Sequence, residues 1–150
     1  MLKVGCNVNN LFRAKTTKKE NENHGFNNVW VYGDLLTNKG VYYIHPQNNV
    51  FRIEGELAKI LIAHEVLSET VGRFTGLTDK NGKKIFEGDI VIYGDEKNEV
   101  VFERQNGSAY FGVKLSEGET WEFCYSVNAS SMEVVGNIHD NPELLEVVNE

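Results

Sequence analysis

The chain has 150 residues, 41% hydrophobic and 25% charged, with a formal net charge of −7. That size and mixture suit an ordinary globular protein able to bury about 70% of the surface its unfolded form exposes, and they exclude a bilayer-spanning helix, since no apolar run reaches the roughly 18 residues one needs. Charge is unevenly spread: residues 1–74 carry 9 Lys/Arg and 7 Asp/Glu, net +2, whereas residues 75–150 carry 6 and 15, net −9.

An acidic half repels a phosphate backbone, so any nucleic-acid contact is expected in the first half. The first residues, Met1 to Asn7, lack the apolar stretch of a signal peptide. A bacterial cytoplasmic location with no membrane partner is therefore expected. In that compartment Cys6 and Cys124 are expected to be free and reduced.

Leu11 to Lys15 reads as a short strand, and residues 16–25 as a polar loop. Arg13, Lys15, Lys18 and Lys19 put four positive charges within seven residues. Val29 to Tyr32 is β-branched and aromatic, which favours a strand. Gly33–Asp34 is expected to interrupt it, and Leu35 to Thr37 resumes it. Asn38–Lys39–Gly40 then turns the chain into Val41 to Ile44, giving a β-hairpin. Val50 to Ile53 adds a strand. Residues 56–67 fit both helical spacing and alternation; a strand over 60–66 is preferred, with any helix short.

Asp79–Lys80–Asn81–Gly82 is a turn whose first Asp can bond ahead and whose Asn and Gly tolerate positive φ. Residues 83–91 continue as extended chain. Gln105–Asn106–Gly107 joins strands over 100–103 and 109–114 into a second hairpin. Residues 121–125 and 133–138 read as two more strands. Asn141–Pro142–Glu143 has the residue order of a helix start, predicting a short helix over 142–148. A pattern repeats: Val31 to Leu36 and Phe86 to Val91 each run apolar chain into Gly-Asp, predicting a bend at Gly33–Asp34 and at Gly88–Asp89.

Residues 75–91, TGLTDKNGKKIFEGDIV, closely resemble the signature of the YopX family, small proteins of bacteriophages and of prophages in low-GC Gram-positive bacteria. TVGRFTGL at 70–77, GNIHDNPELL at 136–145 and, more loosely, WVYGDL at 30–35 extend the resemblance. It implies a phage or prophage accessory protein and assigns no reaction. The segment before the signature is extended in that family, which supports a strand over 60–66.

The residues themselves offer little chemistry. Asp79 to Gly82 lacks the ligand spacing of a calcium loop, with Gly fourth and Ile90 twelfth. His24, His45, His64 and His139 are dispersed, without zinc-ligand spacing. No glycine-rich phosphate loop leads into a helix. No catalytic residue, metal or organic cofactor is therefore expected.

The expected fold is mostly β. Two small β subdomains, 1–69 and 70–150, make up the chain, the second a barrel-like or strongly bent antiparallel sheet ending in the short helix. Gly33, Asp34, Asp79, Gly82, Gly88 and Asp89 are structural turn residues. The expected role is a non-enzymatic module that binds a phage or host protein or a second copy of itself. Glu117, Glu119 and Glu122 are candidates for a surface meeting a basic partner. The alternative is an accessory factor contacting DNA or RNA through Arg13, Lys15, Lys18, Lys19, Trp30 and Tyr32.

Overall fold

Turn residues recur every few positions, so the chain forms short strands joined by tight turns rather than long elements. A computed structural model describes residues 11–17, 28–47, 51–53, 56–58, 63–115, 118–123 and 128–146. The chain divides into two units, Met1–Arg73 and Phe74–Glu150. Both are antiparallel β, and among the described residues no helix exceeds a single 3-10 turn.

In the first unit β1 (Phe12–Lys15), β2 (Trp30–Asn38), β3 (Val41–His45), β4 (Phe51–Ile53), β5 (Glu56–Ala58) and β6 (His64–Val66) precede the start of β7 (Gly72–Thr78). The ladder runs β6-β3-β2-β1-β7, with β4 and β5 paired separately. Ala14, Ile44 and Val66 form its buried centre, flanked by Phe12, Val31, Leu35, Tyr42 and Val71. Thr70 closes one corner: its Oγ1 accepts from the Lys15 N–H at 2.8 Å and donates to the Leu67 carbonyl at 2.7 Å.

Two expectations change here. β2 is continuous through Gly33–Asp34. Gly33 has no positive φ; it is needed because a Cβ there would lie 2.0 Å from the His45 carbonyl oxygen. The polar loop begins later than residue 16, because Thr16 is buried and bridges to Val66. Over 56–67 the described residues form β5 and β6, and 59–62 lie outside them.

The second unit takes the end of β7, then β8 (Lys84–Phe86), β9 (Asp89–Tyr93), β10 (Glu96–Gln105), β11 (Ser108–Lys114), β12 (Thr120–Glu122) and β13 (Glu133–Asn137). Its main sheet is ordered β12-β11-β10-β9-β13. Ile85, Val91, Val100, Val113, Ala129, Met132 and Val134 form the core. Asn106 (φ 52) and Gly107 (φ 80) make the two-residue turn between β10 and β11. Positive φ at both positions matches the right-handed twist of the paired strands.

The barrel expectation is corrected. No sheet among the described residues closes on itself, because β12 and β13 stay at opposite edges. A bulge between Val134 and Gly136 bends β13, but the bend stops short of closure. The C-terminal helix is corrected too: a 3-10 turn spans Pro142–Leu145, and 147–150 lie outside the described residues. Asn141 makes no side-chain cap for that turn. Its Oδ1 accepts instead from the Asn137 N–H at 3.4 Å, leaving the first turn without the capping bond that helps a helix start.

Candidate functional site

The signature segment is a structural latch. Asp79 directly follows β7 and is 4% exposed. Its Oδ1 accepts from the N–H groups of Asn81 (2.8 Å) and Lys83 (2.9 Å), and its Oδ2 from Val134 (3.0 Å). Burial pushes its pKa up, but the Val134, Lys83 and Asn81 N–H groups and the Lys83 charge outweigh that and hold it below the ordinary carboxylate value. Gly82, at φ 79, completes the turn. Lys80 and Glu133 form an ion pair beside it. With both oxygens receiving N–H donors, Asp79 acts as an anchor for β13.

Asp89 has a related role. It is buried, and its Oδ2 accepts from the Phe86 N–H at 2.8 Å. Gly88 (φ 81) donates to the Val100 carbonyl and accepts from the Ile138 N–H. The two Gly-Asp pairs are thus different devices: a turn at Gly88–Asp89, a close strand approach at Gly33–Asp34. Asp34 accepts from Gln47 Nε2 at 2.7 Å.

The candidate nucleic-acid residues separate. Arg13 and Lys15 are buried at 7% exposure each, 4.7 and 5.4 Å from the Trp30 ring centre. Their charges face an aromatic surface within the unit. Tyr32 stands 49% exposed, while Lys18 and Lys19 lie outside the described residues.

The second unit carries a groove that sequence reasoning missed. The turn at Gly94–Asp95 folds β10 back on β9. Tyr93, Glu96, Asn98, Leu115 and the 42%-exposed Trp121 join that turn around a cleft of about 650 Å³. A second cleft of about 670 Å³ shares Asp95, Glu96 and Leu115 and extends to Leu144, Leu145 and Glu146. Four carboxylates, from Asp95, Glu96, Glu99 and Glu146, line these clefts beside the ammonium groups of Lys97 and Lys114. The expected partner residues Glu119 and Glu122 are exposed but outside this lining, and Glu117 lies outside the described residues. Cys6 and Cys124 also lie outside the described residues. The available signal was the Tyr-Gly-Asp-Glu turn followed by a tryptophan on a three-residue edge strand.

Residues 11–146 match the YopX protein family. The chain belongs to the YopX family. No curated protein matches this YopX chain. Among solved structures it is similar to protein EF1440 from Enterococcus faecalis, with 24% sequence identity and a TM-score of 0.46, over 90% of this chain and 96% of that one.

Proposed function

We propose that this YopX-family chain is a non-enzymatic binding module of phage or prophage origin whose second unit receives a basic segment of a protein partner. The exposed Trp121, set in a cleft with Asp95 and Glu96 that adjoins a second cleft carrying Glu99 and Glu146 beside Lys97 and Lys114, carries the reading. An aromatic with apolar neighbours supplies contact area, and the acidic lining favours basic partners and rejects acidic ones. The net charge of −9 over residues 75–150 extends that field beyond the groove.

Photocrosslinking inside host cells tests this. A benzophenone amino acid replaces Trp121 in one variant and Lys39, in an exposed turn of the first unit, in another. The expected result is a protein adduct from the Trp121 position only, lost when Asp95→Lys and Glu96→Lys are added. No adduct at Trp121, or one indifferent to those charge reversals, overturns the proposal.

A further inference from the structure

Asn98 is 1% exposed and forms part of the groove wall. Its Nδ2 donates to the Glu96 carbonyl over a long 3.3 Å, while its Oδ1 receives no hydrogen bond among the described residues. A buried acceptor left unfilled costs free energy, and such atoms in folded proteins call for an explanation. Asn98 pairs with Val91 in the β9–β10 ladder, between the Gly94–Asp95 turn and the core residue Val100. A smaller apolar residue would satisfy packing there without leaving an orphan oxygen.

Three features meet in this cleft: an amide oxygen lacking a donor, two carboxylates on Asp95 and Glu96, and the exposed ring of Trp121. We infer that this end of the groove is an arginine subsite, taking one guanidinium from the partner. The inference rests on the partner-binding reading above and names the chemistry of its anchor. A guanidinium matches all three features. It is planar and stacks on an indole face, it carries a positive charge for the carboxylates, and its fork of N–H donors reaches several acceptors at once. An ammonium stacks less well and is more strongly hydrated. Engagement requires the Asn98 amide to turn about χ2, a soft torsion, exchanging its long Nδ2 bond to the Glu96 carbonyl for a bond from the guanidinium to Oδ1.

The test is a titration of the isotopically labelled chain with N-acetyl-arginine amide, followed by amide and indole N–H resonances. N-acetyl-citrulline amide, the neutral near-isostere, and N-acetyl-lysine amide serve as comparisons. The expected result is saturable binding with a Kd on the order of millimolar, as a single side chain allows. Shifts should be confined to residues 93–98, Leu115 and the Trp121 indole. Trp121→Ala, at an exposed position, and Asn98→Ala should each weaken binding about tenfold, corresponding to about 1.4 kcal/mol. The spectrum of each variant reports whether the fold survives, so the Trp121 variant decides the matter if Asn98→Ala unfolds. No shift at about 50 mM arginine amide, shifts outside the groove, or equal binding of citrulline or lysine overturns the inference. A Trp121 adduct whose contacting segment lacks arginine overturns this inference and leaves the binding module standing. Arginine binding without any cellular adduct does the reverse.

Discussion

Asp79 receives three backbone N–H donors, and removing its carboxylate leaves the Val134 donor buried without a partner. Asp79→Ala is expected to cost about 2–4 kcal/mol in urea unfolding. The pH dependence has a definite sign. The folded pKa is depressed, so the stabilisation is fully present above the unfolded value of about 3.9 and disappears as pH falls through the folded value. The stability gap between the natural chain and Asp79→Asn should therefore narrow when urea midpoints are compared from pH 6 down to pH 2. A constant gap contradicts the assignment. The two glycines separate by mechanism. Gly88→Ala strains a backbone at φ 81 and should cost about 1 kcal/mol. Gly33→Ala drives a methyl group into the His45 carbonyl and should cost more, since β2 and β3 must move apart. Equal losses in denaturant titrations would mean that the approach at Gly33 relaxes freely.

Hairpins were the elements most legible beforehand. Lys39–Gly40 and Asn106–Gly107 adopt positive φ in two-residue turns, a demand written directly into residue type. The extent of β2 was hidden, because Gly33 reads as a breaker until β3 is seen beside it. Asn141 reads as a cap until β13 claims its side chain. The groove was invisible for a similar reason: Tyr93, Asn98, Leu115 and Trp121 meet only once β9, β10, β11 and β12 are in register. Arg13 and Lys15 looked exposed because a charge count carries no knowledge of the Trp30 ring above them. The strand order makes its own prediction. Amides of β9 and β10, paired on both sides, should show slow hydrogen exchange, and those of the three-residue edge strand β12 much faster exchange. Comparable protection across β10 and β12 would mean that a further segment covers the edge.

Two separate apolar clusters support the molecule, one around Ile44 and one around Val113. Both side chains are fully buried. Ile44→Ala is expected to cost about 2–5 kcal/mol and Val113→Ala somewhat less. Because the clusters share no residue, the double variant should equal the sum within about 0.5 kcal/mol. A larger deviation, measured by global unfolding, would reveal coupling between them. The charge split belongs to this level as well: partner binding through the acidic half should weaken steadily as ionic strength rises.

The bond from Val134 to Asp79 spans 55 positions of sequence. A contact of that reach has a higher loop-closure cost than a hairpin and is expected to form after local hairpins such as β10–β11. The Val134 bond of the family signature is therefore expected to be a fastening made late. Substitutions at Asp79 should leave the refolding rate nearly unchanged and appear almost entirely as faster unfolding. The motif that most clearly marks the family would then govern how long a folded copy lasts, more than how quickly it is made.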